Sequence, residues 1–387
     1  MKNKILKPIL LVLTAVMFLS AFPVFAFADD GSIELSIISA NVSGLPAFLT
    51  KYDRDVPKCQ ATLGKMLNES GYDIICVQED FQHHDILENE MTAYPYKTYV
   101  SGGVPICDGL NIFSKYPFYN VERVTWNEFN GIFTDGADAL GPKGFIKCTV
   151  DVNGVLIDLY NLHCDAYRTE PDQYAKKAQL IQLSAYMNEH SNGRPIIITG
   201  DTNLTFHNDP LSEMYRILIK EGGFTDCWVE TKNGGNYFQG EDGQALIDAW
   251  YKKFGGHDWG RWDSVERVLY KNGDGLTISP SSFEYKIYTD NKEDIKALTD
   301  HRIMECRLTL DVSEYQRPNI TLKEESKPSF FNQFFRCTRM IFRIAVVLLI
   351  GIIQLIFSNI YSAILFIAAL ALIVYLRIRK ARKKKGR

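Results

Sequence analysis

The chain has 387 residues, 43 of them Lys or Arg and 46 Asp or Glu. Residues 1–28 and 331–387 hold 14 of the basic residues and no acid, which leaves residues 29–330 with a net charge of −17. A surface that acidic is ill-suited to following a phosphate backbone by counterion release unless a metal screens the site, and the eight cysteines match neither a zinc site nor a small disulfide scaffold.

At the N-terminus three lysines precede an apolar stretch that ends Ala26-Phe27-Ala28 before Asp29 and Asp30, the pattern of a secretory signal peptide over 1–28. About 290 exported residues follow, enough for one large domain or two small ones. Strand-like and helix-like runs then alternate: a strand over 33–41, a helix near 55–70, a strand over 72–80 and a helix near 83–91. A β-rich stretch comes next, with strands at 109–114 and 118–126, then 144–152 and 155–164 flanking the hairpin signal Asn153-Gly154. A helix at about 172–190 leads into the apolar run "PIIITG", and strands near 263–270, 283–288 and 300–310 close the domain. Mixed hairpins and crossovers of this kind predict two packed sheets with helices outside, an α/β sandwich over 29–320. Two aromatic-rich segments, 125–144 and 232–262, are expected either to form a satellite core or to meet a membrane interface.

Residues 321–343 read as a juxtamembrane linker. The run 344–376 carries no charge and exceeds the ~20 apolar residues that span a bilayer. The tail 377–387 has eight basic residues and no acid, which the positive-inside rule places in the cytoplasm. The expected arrangement is a single-pass protein of the cell membrane with its catalytic domain outside; Gln354, Ser358 and Asn359 interrupt the span, so an interfacial helix followed by a span, or a hairpin, are alternatives.

Polar residues recur where the apolar strands end: Asn41, Glu79, His163, Asp201, Asn203, Asp263 and the pair Asp300-His301. Strand ends along one edge of a sheet form a natural crevice. Carboxylates, carboxamides and imidazoles without cysteine favour Mg²⁺, Ca²⁺ or Mn²⁺ over zinc. Each residue taken singly also suits a cap or a turn.

The ordered series "SAN" (39–41), "VQED" (77–80), "NLHCDA" (161–166), "GDTN" (200–203), "WDSV" (262–265) and "TDHR" (299–302) resembles the endonuclease/exonuclease/phosphatase superfamily of DNase-I-like phosphoesterases. Within it, "DGLNIFSKYP" (108–117) and "DALGPKG" (138–144) are most similar to neutral sphingomyelinases and bacterial sphingomyelinase C. Cys164 and Asp165 stand where those enzymes carry Leu-Gln, and "GDTN" replaces "GDFN". The resemblance implies a four-layer α/β sandwich with the site at the strand ends. It implies that Glu79, with Asn41 and Asp300, holds a divalent metal. His301 would be the general base, with Asp263 fixing its tautomer. His163 would contact phosphate or protonate the leaving oxygen, oriented by Asp108. Asp201 and Asn203 would orient the nucleophile and bond phosphate, and Lys143 would neutralise phosphate or pair with Asp138.

The expected function is therefore an exported, membrane-anchored, metal-dependent phosphodiesterase acting on a phospholipid headgroup. Nucleic acid is not an expected partner, and no protein partner is legible. An extracellular nuclease, a phosphomonoesterase and a non-catalytic surface binding module are the alternatives.

Overall fold

Two parallel strand pairs, one in each sheet, explain why the longest apolar runs sit where they do. In the computed structural model the described residues are 31–46, 54–100, 107–131, 138, 141–204, 212–235, 237, 264–289, 298–358 and 360–385. In chain order they form β1 (Ser32–Asn41), α1 (Val56–Glu69), β2 (Ile74–Gln78), α2 (His84–Glu90), β3 (Tyr96–Lys97), β4 (Asn111–Ser114) and β5 (Phe118–Thr125). Then follow β6 (Gly144–Val152), β7 (Val155–His163), α3 (Glu170–His190), β8 (Ile196–Asp201) and α4 (Ser212–Met214), the last continued by a π-helical turn over Tyr215–Glu221. The domain ends with β9 (Thr225–Asp226), α5 (Cys227–Asn233), β10 (Glu266–Lys271), β11 (Thr277–Lys286) and β12 (Ile303–Asp311), and two long helices follow, α6 (Phe330–Phe357) and α7 (Ile360–Lys385).

One six-stranded sheet has the order β11-β12-β1-β2-β4-β3 and the other β5-β6-β7-β8-β10-β9. β1 pairs parallel with β2, and β7 with β8; the other pairings are antiparallel. Both members of each parallel pair are buried on both faces over most of their length, as their unbroken apolar runs require. The inner faces of the two sheets share one core with the underside of α3, through Leu180, Leu183 and Met187. A second core lies on the outer face of the first sheet, where Leu63 and Leu67 of α1 and Leu87 of α2 meet Ile38, Ile75 and Val77. The result is a four-layer α/β sandwich of two mixed sheets flanked by helices.

The helix starts follow local chemistry. Asp55 caps α1 by accepting from the Lys58 amide at 3.3 Å. Asp172 accepts the Thr169 backbone N–H at 2.8 Å at the start of α3. Under the crevice, Gln78 donates to Asn161 Oδ1 at 2.7 Å, and Asn161 donates to the carbonyls of Val77 and Asn111, so a buried amide bridge ties the two sheets together.

The C-terminal region is divided into two helices, as the alternatives to one continuous span allow. The span expected over 344–376 falls on two helices that meet at Ser358, with α6 long and apolar enough to cross a membrane. The linker expected over 321–343 is no free linker: Thr321, Lys323 and Glu325 are hydrogen-bonded to the sandwich, and from Phe330 the chain is already α6. The expected signal peptide lies outside the described residues, as does most of 232–262. Of the aromatics in 232–262, Tyr237 packs against the main core, and in the other aromatic segment Trp126 is buried in it, so these two are core residues.

Candidate active site

Six elements deliver polar side chains to one end of the sandwich. The parallel strands β1, β2, β7 and β8 point the same way, and their C-terminal ends present Asn41, Glu79, His163 and Asp201. The antiparallel neighbours begin at that end: Glu266 of β10 lies across from Asp201, and His301 precedes β12. The backbone is special there. Glu79 and Asn203 have φ of 54° and 51°, left-handed values that non-glycine residues adopt at a cost and that turn their side chains off the strand direction. Before Asp201, Gly200 has φ of 133°, and a Cβ on it would lie 2.1 Å from the Leu162 carbonyl oxygen. Only glycine lets β8 approach β7 that closely.

The side chains form one connected cluster. Asn41 Nδ2 donates to Glu79 Oε1 at 2.9 Å and to Asp201 Oδ2 at 3.1 Å. Asp201 Oδ1 accepts the Asn203 amide at 2.9 Å, and Asp201 Oδ2 lies 3.6 Å from His163 Nε2 and 3.7 Å from His301 Nδ1. His301 Nδ1 is 2.7 Å from Glu266 Oε1. On the other wall Lys143 pairs with Asp138 at 2.6 Å and donates to the Cys164 carbonyl, which also accepts from Asn203 Nδ2 at 3.0 Å.

Burial and charge set the protonation states. Burial pushes the Asp201 carboxyl up to about 6, with Glu266 adding to the rise while His301, Lys143 and the Asn41 amide oppose it. His301 is pushed up to about 10: burial works against its charge, but the hydrogen bond to Glu266 and the charges of Glu266, Asp201 and Glu79 outweigh it. His163 goes the other way, held well below the usual imidazole range first by burial and then by the cations Lys143 and His301. Its Nδ1 is buried without a hydrogen-bond partner among the described residues. Lys143 lies above its usual range; burial opposes the charge, and Asp138 more than restores it. One neutral and one cationic imidazole thus flank a buried carboxylate.

Several expected roles change. Asp263 lies outside the described residues, and the carboxylate that meets His301 Nδ1 is Glu266, three residues further along the chain. Asp108 does not orient His163; its Oδ1 accepts from Arg123 at 2.6 Å and from the Leu110 amide at 3.0 Å. Asn41 turns its Nδ2 toward the carboxylates of Glu79 and Asp201, while its Oδ1 accepts the Ser43 amide at 3.0 Å. Asp300 is exposed beside His301, outside the close group of Asp201, Glu266 and His301, whose ligand atoms lie within 4.8 Å of one another. Lys143 is committed to Asp138, one of the two options its sequence left open. Glu266 was missed because it opens a strand next to Arg267, where a charge pair looks like a solvated face; both are fully buried.

The donor set fits a hard divalent cation. Glu79 is half-buried at the mouth with one carboxylate oxygen bonded to Asn41, and two more carboxylates stand within the same hydrogen-bonded cluster. Carboxylate crowding of this kind is what an oxygen-ligated cation relieves. A polar cavity of about 660 Å³ elsewhere, bounded by Arg123, Lys147, Arg194 and Lys323, includes none of these residues.

Residues 38–301 match the family model described as the endonuclease/exonuclease/phosphatase family. A protein of Mycobacterium bovis named sphingomyelinase is 29% identical over 232 residues, 58% of this chain and 44% of the relative, so the chain spans less than half of that protein. Among solved structures, sphingomyelinase C from Streptomyces griseocarneus is 17% identical with a TM-score of 0.49, covering 71% of this chain and 99% of that one. Beta toxin from Staphylococcus aureus, in a mutant form with bound magnesium ions, gives the same identity, TM-score and coverage. With its matched region containing every strand end of the cluster from Asn41 to His301, the chain belongs to the endonuclease/exonuclease/phosphatase family.

Proposed function

We propose that this protein is a membrane-anchored, metal-dependent phosphodiesterase of the sphingomyelinase C type, cleaving a phospholipid on the phosphate–lipid side and releasing the phosphorylated headgroup. The observation that carries this reading is the strand-end cluster of Glu79, Asn41, Asp201, Glu266, His301 and His163, which supplies a base, its orienter and a cation-binding carboxylate within one crevice. The lipid substrate is supported by the kinship with a named sphingomyelinase, the acidic domain and the apolar helix α6. Exposed Phe342, Leu349, Ile350 and Leu355 give α6 an apolar surface larger than soluble monomers tolerate.

The chain's own residues divide the work. Glu79 would hold the cation, Asn41 fixing its carboxylate. Bound there, Mg²⁺ supplies charge to a phosphoryl oxygen and offsets the carboxylates that otherwise keep His301 protonated. Glu266 accepts from His301 Nδ1–H, which leaves Nε2 to take a proton from the attacking water. Asp201 sits between the two imidazoles and orients the water or the leaving oxygen. His163, neutral through burial, hydrogen-bonds the phosphate. Asn203, near Lys143, bonds a second phosphoryl oxygen.

The test uses the full chain in detergent micelles with Mg²⁺, measuring phosphocholine release from sphingomyelin. His301→Ala is expected to lower the rate by about 10²–10⁴-fold, the usual contribution of a positioned general base, and EDTA to abolish it. DNA cleavage with no phospholipid turnover would replace the lipid reading with the nuclease one.

A further inference from the structure

The segment between β12 and α6 has enough residues to act as a long leash, yet it is laid along the domain. It begins with Val312 donating to the Gly31 carbonyl at 2.9 Å. The Tyr315 hydroxyl accepts the Leu156 amide at 2.8 Å, Gln316 donates to the Asp274 carbonyl, and Arg317 pairs with Asp151. Further on it meets the edge strand β5. There the ladder to β6 slips between Tyr119 and Glu122, a bulge that frees Asn120, whose φ is 53°. Asn120 turns its backbone N–H and both side-chain polar atoms to the segment: its amide donates to the Lys323 carbonyl at 2.8 Å, its Nδ2 to the Thr321 carbonyl at 3.0 Å, and its Oδ1 accepts the Lys323 amide at 3.0 Å. The last tie is Glu325, which accepts the Tyr99 amide at 3.1 Å.

After Glu325 only three residues precede Ser329, the N-cap of α6. Four extended steps reach about 14 Å, and Pro328 stiffens one of them. The helix itself then returns to the domain. Met340, Arg343 and Val347 share one helical face, and Met340 and Val347 are its buried apolar residues. The Arg343 guanidinium stacks 4.2 Å above the Phe129 ring. Phe129 lies between Trp126, which donates to the His163 carbonyl at 2.7 Å, and Asn130, which donates to Asp165 at 2.6 Å. The anchor helix therefore rests on the loop that braces the His163 segment.

We propose that the docked strap 312–328 and the Arg343–Phe129 contact of α6 pin the catalytic domain to the leaflet that holds its own helix, so that it acts on phosphodiester lipids of its own bilayer and not on those of a membrane brought up to it. The inference rests on the lipid-phosphodiesterase reading for its substrate, and on the strap and α6 contacts for its geometry.

Two measurements test these parts separately. The full chain is reconstituted into phosphatidylcholine vesicles containing sphingomyelin, or into sphingomyelin-free vesicles mixed with sphingomyelin vesicles that lack protein. Hydrolysis is expected at least about tenfold faster in the first arrangement. Inserting a flexible Gly-Ser segment of about 20 residues after Lys327 together with Arg343→Ala is expected to narrow the gap, since such a linker samples distances of ~25 Å. Equal rates in both arrangements for the unaltered chain would overturn the proposal. Hydrogen exchange of the full chain in phosphatidylcholine nanodiscs reads the docking without any substrate. The Asn120 amide is expected to be protected, and Pro substitution at Lys323 to leave the strap's other ties weakened; free exchange at Asn120 in the unaltered chain would refute the docked strap. Absence of hydrolysis in both vesicle arrangements with Asn120 protected would sink the substrate reading and leave the docking standing.

Discussion

The short contact between Glu266 Oε1 and His301 Nδ1 decides which imidazole nitrogen faces the crevice, and it is also the largest influence holding a proton on that ring against burial. Replacing Glu266 with Gln keeps the shape and removes the charge. In the metal-free protein the His301 titration near pH 10 should then fall by more than a pH unit, readable by NMR, and the rate with Mg²⁺ should drop about 10²-fold or more through loss of the orienting partner. The sign follows from the raised value: the His301–Glu266 attraction stabilises the fold fully below the unfolded imidazole value of ~6.5 and is lost as pH rises through about 10. If Asp263→Asn produced the larger fall, the assignment of the orienting carboxylate would return to Asp263. At this scale the sequence was legible in part. Asn41, Glu79, His163, Asp201 and His301 could be placed because each terminates or precedes an apolar run. Glu266 could not, because its neighbours give no sign that β10 is covered on both faces, and that depends on the β8 and β9 pairings. The partner of Asp108 was misread for a similar reason: Arg123 comes from a strand whose position across from it is a matter of sheet packing.

Among the elements, the β7–β8 pair carries the tightest geometric demand. Its register sets Leu162 against Gly200 and His163 against Asp201, so two cluster residues are one ladder rung. Gly200→Ala puts a methyl into the Leu162 carbonyl and forces the φ of 133° on an L-residue. We expect a loss of at least about 2 kcal/mol in urea unfolding, with activity falling further than stability because the rung itself shifts. Gly141→Ala, which meets open space and needs no positive φ, should change neither by more than ~0.5 kcal/mol. The regular elements were well foretold by pattern, with the run 155–164 and the helix near 172–190 found within two residues of their observed ends. What pattern did not give were the pieces whose existence depends on neighbours: the two-residue strands β3 and β9, the helix α5 held by its Asp226 cap, and the first half of β11, where Pro280 marks a bulge.

The whole molecule concentrates negative charge at one end of a domain that is already acidic, and this predicts how it responds to cations. Mg²⁺ binding to the folded state alone should raise the midpoint of thermal unfolding, by roughly 5 °C at a hundredfold excess over Kd, since that excess contributes about 2.7 kcal/mol. Glu79→Gln should remove most of the shift while leaving the cation-free midpoint near its original value. A shift that survives in Glu79→Gln would place the cation elsewhere, in the close group of Asp201, Glu266 and His301.

The pairing of β1 with β12 sets a timetable for the chain. Ser32 lies across from Asp311, so the first strand of the sandwich finds its antiparallel partner only when the last has appeared. A chain that emerges N-terminus first therefore holds β1 with β2 alone, and two of the six strands of the first sheet, β11 and β12, are missing through the whole of the intervening synthesis. Closure comes just before the strap and α6 emerge. The domain is therefore complete only once its last strand is in place, with the apolar helix α6 next in the chain.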